Sequence, residues 1–257
     1  MANLFNAVLI LITIVFLAAL FENLAEATLA AVVVSTAVLA MSYPGRAAAQ
    51  QWVTAWGSSL QGPSPEDWMM TDASVRLIAR STIAGDRVRV RLENTFGMAP
   101  LTIGAATIGH QARGAALVTG SVRPLRFDGS DAVTIPAGEY VVSDPVTLAV
   151  RAEQRLAISL HIPGSNVGSS VHNNGLTTSY VTDASAGDQT GDVDGQPYAA
   201  TTTQMHWLSA VEVYSSSARG AIVAFGDSIT DGSCATIDGH NRWEDVPFDD
   251  PPAEMHN

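Results

Sequence analysis

Ser228 has the setting of a nucleophile. An apolar run, Ala221-Ile222-Val223-Ala224-Phe225, delivers it into the stretch Gly226-Asp227-Ser228-Ile229-Thr230-Asp231-Gly232. A serine hydroxyl attacks a carbonyl only when a base takes its proton, and the developing oxyanion needs N–H donors. A strand-to-helix turn helps with both, lifting Oγ out of the sheet and aiming backbone amides at the oxyanion. Gly226 and Gly232 give the backbone freedom for such a turn. Asp227 and Asp231 can hydrogen-bond turn amides and stiffen it. The spacing differs from the Gly-x-Ser-x-Gly elbow, because Thr230 stands where that motif has its second glycine.

The candidate bases are His110, His161, His172, His206, His240 and His256. His240 is twelve residues from Ser228 and reads as a loop histidine. His256 lies near the carboxy terminus without an orienting frame, and reads as a frayed terminal residue. His161, between Leu160 and Ile162, is expected to face solvent or a β neighbour. His172 and the His206-Trp207 pair are open to a ligand or a partner domain. None merits a catalytic role from the sequence. Cys234, the single cysteine, excludes an intrachain disulfide and a cysteine metal cage. It is either a reactive thiol or, the preferred reading, a small loop residue. Asp188, Asp192 and Asp194 in the polar stretch 183–197 echo part of a calcium loop. The full spacing and terminal Glu are missing, so an ordinary loop is expected. No metal or cofactor is called for.

The elements that must position these residues read as short strands. Val88, Val90 and Leu92 alternate with Arg87, Arg89 and Arg91, the period of a half-buried strand. The arginines are expected to face water or acidic neighbours rather than a substrate. Strand-like runs recur at 52–57, 74–82, 86–94, 101–109, 131–150, 155–164, 177–181 and 205–215. No helical period is sustained between 50 and 219. This spacing predicts a mainly β fold, an antiparallel β-sandwich-like domain over residues 50–218. The aromatics Trp52, Trp56, Trp68, Trp207 and Tyr214 are expected to pack in it; a sugar-stacking platform would need two or three exposed and coplanar. Residues 221–225, apolar without alternation, instead predict a strand buried on both faces, as in a parallel α/β sheet.

Composition bounds the partners. The 257 residues are 47% hydrophobic and 15% charged, with net charge −12 and no lysine. No basic stripe suggests nucleic acid. Residues 4–21 are uncharged and apolar, and Ala47-Ala48-Ala49 resembles a signal-peptidase site. Residues 1–49 therefore read as an export signal, giving a secreted or periplasmic protein. An uncleaved anchor with an extracytoplasmic domain is the alternative, and residues 4–21 would then contact the membrane. A wrongly chosen start codon is a third.

The stretch "FGDSITDG" resembles the first sequence block of the SGNH, or GDSL-type, ester hydrolases. "WVTAWGSS" at 52–59 and "TSYV" at 178–181 resemble the β-rich amino-terminal region of a secreted bacterial branch of that family, and "GHNRW" at 239–243 resembles the stretch after the motif, where the first catalytic helix begins. The resemblance covers about residues 50–245. It implies a flavodoxin-like α/β/α catalytic domain beginning in residues 219–257, here its first strand and a stub. It implies Ser228 as nucleophile and oxyanion N–H donor, and Asp227 as turn support. The substrate class would be carboxylic, lipid or carbohydrate esters. The family's Gly-x-Asn-Asp and Asp-x-x-His blocks do not occur after Ser228, where the chain reads "EDVPFDDPPAEMHN" beyond Trp243. Asp249 and Asp250 have the wrong spacing to His256, and Pro251-Pro252 forbid a regular helix there. The expectation is a chain truncated by a frameshift or premature stop, and inactive by itself. The alternative is a non-catalytic exported β-sandwich module that binds glycan or the cell envelope.

Overall fold

Alternating apolar residues dictate two facing sheets. The computed structural model describes residues 50–63, 69–218 and 220–245. Its strands are β1 (Gln51–Gly57), β2 (Ala73–Arg80), β3 (Gly85–Glu93), β4 (Leu101–Ile103), β5 (Ala105–Arg113), β6 (Ala116–Leu117), β7 (Arg123–Pro124) and β8 (Val133–Ile135). They continue with β9 (Tyr140–Val142), β10 (Val146–Val150), β11 (Arg155–Ile162), β12 (Val171–His172), β13 (Ser179–Val181), β14 (Ala200–Thr202), β15 (Met205–His206) and β16 (Leu208–Ser215). One sheet runs β1-β16-β3-β10, with β9 also on β3. The other runs β14-β13-β2-β11-β5-β6, with β7 also on β5. Every pairing between these strands is antiparallel.

The core lies between the sheets. Val88, Val90 and Leu92 of β3, with Val211 and Val213 of β16, join Val75 and Leu77 of β2 and Leu156, Ile158 and Leu160 of β11 in one buried cluster. Each such side chain contributes roughly 1.5–3 kcal/mol by leaving water. The alternation of β3 fixes its register: Val88 lies opposite Val213, and Val90 opposite Val211. A one-residue slip would turn every valine outward.

Two runs that read as single strands are divided. Gly104 separates β4, which pairs with β8, from β5 in the larger sheet. Trp207, fully buried with φ of 58°, separates β15 from β16. Its backbone bridges two elements, the N–H donating to Ser170 O at 2.8 Å and the carbonyl accepting from Glu93 N at 2.7 Å.

The outer face of the larger sheet is also buried. Arg76, Ser159 and Thr107 form one cross-strand row there. The loop 183–199 folds over it. Thr107 Oγ1 donates to Thr190 O at 2.8 Å, and Arg76 Nη2 donates to Asp192 O at 2.7 Å. Arg76 is fully buried, and Tyr198 lies against it with the guanidinium carbon 4.2 Å from the ring centroid.

The run 221–225 departs from expectation, being neither strand nor buried. Ile222 is 79% exposed, Val223 85% and Phe225 100%. A strand buried on both faces needs neighbours on both edges, and no described strand pairs with this run. After it, the described chain forms turns and one 3-10 turn, Trp243–Asp245, and the helix expected from "GHNRW" onward falls largely on residues outside those described. No helix among the described residues is long and apolar enough to cross a membrane. The expected leader, residues 1–49 including 4–21, lies outside the described residues, as do Trp68, Asp249, Asp250 and His256.

Candidate functional site

The turn around Ser228 is closed by its own backbone. Asp231 N donates to Asp227 O at 3.0 Å, Gly232 N to Ile229 O at 3.1 Å, and Ser233 N to Ser228 O at 2.8 Å. Asp227 Oδ1 accepts from Ile229 N at 2.9 Å, the local side-chain bond that suits Asp to turns. Ser228 is exposed at this turn. Neither its hydroxyl nor its N–H has a hydrogen-bond partner among the described residues. Both are therefore open to a substrate carbonyl. Gly232, with φ of 92°, lets the chain turn back beneath Arg242 and Leu176.

The turn is docked on the β-sandwich. Asp231 Oδ1 lies 2.8 Å from His172 Nε2, and its other carboxylate oxygen accepts from Asn174 Nδ2 at 3.3 Å. Farther on, Asp238 accepts from Thr178 N at 2.8 Å and from Thr178 Oγ1 at 2.5 Å, and its N–H donates to Leu176 O at 2.9 Å. Arg242 Nη2 donates to Gly175 O at 3.0 Å. Residues 172–178 thus receive the segment 231–242 along a continuous polar seam.

No described histidine is hydrogen-bonded to Ser228. His172 has Nε2 against Asp231 and Nδ1 against Ser59 O at 2.9 Å, so neither nitrogen is open to take a serine proton. His161 Nε2 lies 3.0 Å from Asp72. His206 is fully buried with Nδ1 2.9 Å from Ser169 Oγ. Burial lowers the pKa of His240, and the nearby Arg80 and Arg155 lower it further; Asp245 and Asp238 oppose this. Its Nε2 is buried without a hydrogen-bond partner. Burial likewise lowers the pKa of His110.

The other candidate residues are satisfied locally. Asp188 Oδ1 accepts from Thr190 N at 2.9 Å and Thr190 Oγ1 at 2.7 Å, and Asp192 Oδ1 accepts from Gly195 N at 2.6 Å. These carboxylates cap their own loop. Arg89 pairs with Glu212 at 2.5 Å, and Arg91 with Glu93 at 2.9 Å. The arginines also stack on aromatics, Arg87 over Tyr214 at 3.9 Å and Arg91 over Tyr140 at 3.8 Å. Trp52 and Tyr214 lie 5.2 Å apart at 53°, so they offer no coplanar platform. Cys234 is exposed and free. A groove of about 500 Å³ is lined by Asn173, Thr178, Thr201, Thr202, Thr203, Gln204 and Ile237, and Ser228 is not among these residues.

No protein-family model matches the chain, and no curated protein matches it. The docking of Asp231 on His172 and Asn174 has no signal in the local sequence. The sequence leaves His172 open to a ligand or a partner domain, and its partner, Asp231, lies far along the chain.

Proposed function

We propose that this chain carries the nucleophile turn of an SGNH-type ester hydrolase, with Ser228 as nucleophile and oxyanion donor and Asp227 as turn support. The observation that carries this reading is the exposed Ser228, its hydroxyl and N–H both open, in a hydrogen-bonded turn. The motif "FGDSITDG" supports the family. The reaction would be two-step acyl transfer: Ser228 Oγ bonds to the ester carbonyl carbon, the alcohol leaves with a proton, and water then hydrolyses the acyl-serine. That chemistry needs an imidazole on Ser228, and residues 50–245 supply none as described. The chain alone is therefore proposed to be inactive, the imidazole and its orienting carboxylate coming from polypeptide outside those residues.

Hydrolysis of p-nitrophenyl acetate by the 257-residue chain and by its Ser228→Ala variant tests this. Equal background turnover is expected. Ser228-dependent turnover would overturn the claim that the base is missing. Fusing a segment with the family's Gly-x-Asn-Asp and Asp-x-x-His blocks should give turnover that Ser228→Ala abolishes; its failure to do so counts against the nucleophile reading.

A second reading is a non-catalytic exported module that binds glycan or the cell envelope. It is favoured by one observation: the sandwich closes its own core, while Ile222, Val223 and Phe225 are largely exposed. Cooperative unfolding of residues 50–218 alone, with retention on an insoluble glycan, would favour it over the enzyme reading.

A further inference from the structure

We propose that the β-sandwich is the positioning platform of the nucleophile turn, and that His172 is the residue through which it acts. This rests on the reading of Ser228 given above. Asp231 lies three residues after Ser228, inside the same hydrogen-bonded turn. Its carboxylate leaves the turn and meets the sandwich at His172 Nε2, 2.8 Å away. The imidazole is itself held from behind by Ser59 O at 2.9 Å, next to the end of β1. Its side chain is 13% exposed and that of Asp231 34%, so the contact is partly shielded from water. A hydrogen bond to an ionised group is stronger than one between neutral groups, and it biases a short turn toward the docked state. Asn174 adds a second donor to the same carboxylate.

The contrast along the segment supports this role. On the near side, residues 220–226 are exposed and unpaired with any strand. On the far side, the segment is anchored at Asp231, Asp238 and Arg242, all on residues 172–178. The anchor nearest Ser228 is the Asp231–His172 contact. The orientation of the Ser228 hydroxyl therefore depends on it more than on the apolar run that leads into the turn. His172 is a positioning residue: both ring nitrogens are committed, and it takes no proton from Ser228.

The single cysteine supplies the test. A nitroxide attached to Cys234 in the full chain reports motion of the turn by its electron paramagnetic resonance line shape. In the unaltered protein a motionally restricted component is expected. His172→Ala and Asp231→Ala should each shift most of the spectrum to the mobile component. Asp231→Asn should retain the restricted component, because an amide can still hydrogen-bond the imidazole; a loss of general packing would give no such rescue. The unfolding midpoint of the sandwich should be unchanged in all three. An unchanged line shape in both alanine variants, or a mobile spectrum in Asp231→Asn, would overturn the proposal. The label reads docking whether or not Ser228 performs ester chemistry. Failure of the hydrolase reading would therefore appear in the fusion assay and not here.

Discussion

Replacing Arg76 should destabilise the sandwich severely, although the residue is far from Ser228 in sequence. The guanidinium is fully buried on the outer face of the larger sheet. Nε donates to Ser159 Oγ at 2.8 Å, one Nη to Ala115 O, and the other to Asp192 O at 2.7 Å and Thr190 O at 3.4 Å. Burial lowers its pKa, while Tyr198 and Asp192 act in the opposite direction. Two effects compete. Desolvation of the cation means an apolar residue of similar size can be neutral or better when a whole buried ionic group is replaced. Here, however, three of the four acceptors are backbone carbonyls that no substitution removes, and each orphaned carbonyl costs about 1–3 kcal/mol. The orphaned carbonyls should win, so Arg76→Ala should cost about 3–5 kcal/mol, the range for breaking a buried charged contact from one side. At about 2–4 °C per kcal/mol for a domain of this size, the melting temperature should fall by roughly 6–20 °C. Arg76→Met decides between the two effects, and it should still destabilise. Urea unfolding followed by tryptophan fluorescence, with proteolysis mapped to residues 183–199, measures both the loss and its location. A loss below about 1 kcal/mol for Arg76→Ala, or a more stable Arg76→Met, would refute the role of Arg76 as the clasp of that loop.

Two further outcomes are expected. Gly232→Val should loosen the Ser228 turn without unfolding the sandwich: a Cβ there would lie 2.8 Å from Arg242 Cγ and 2.9 Å from Leu176 Cδ1, at a φ of 92° that costs an L-residue about 1–2 kcal/mol. Faster proteolysis within 220–245 at an unchanged melting temperature checks this. Stability should decline in mild acid, because burial lowers the pKa of His240 and His110 below the ordinary 6.5. The unfolded chain then binds protons near pH 6.5 that the folded chain refuses. Their contribution is full above that pH, falls as pH drops through the interval, and levels off once the folded rings are protonated. Urea titrations between pH 5 and 8 should show the slope, and the double variant His110→Gln, His240→Asn should flatten it.

Sequence by itself determined the sandwich. The alternation Val88, Val90, Leu92 against Arg87, Arg89, Arg91 marks a strand with one dry face, because side chains alternate across a sheet. It made the turn legible through Asp227 and Gly232, but not its setting, since no strand enters it, turns rather than a helix run through residues 228–234, and Asp231 bonds the sandwich instead of turn amides. It did not determine the strand breaks at Gly104 and Trp207, where a run of constant composition changes partner. It misread residues 221–225, because apolar composition states a demand for burial and cannot supply neighbours. It gave no sign of Arg76 under the loop 183–199, and it left His172 open to a ligand or a partner domain without pointing to Asp231, 59 positions away. Those contacts exist only because the fold brings segments distant in the sequence together. Periodicity reports which face of an element is dry; only the tertiary structure decides which polar group waits on the other side.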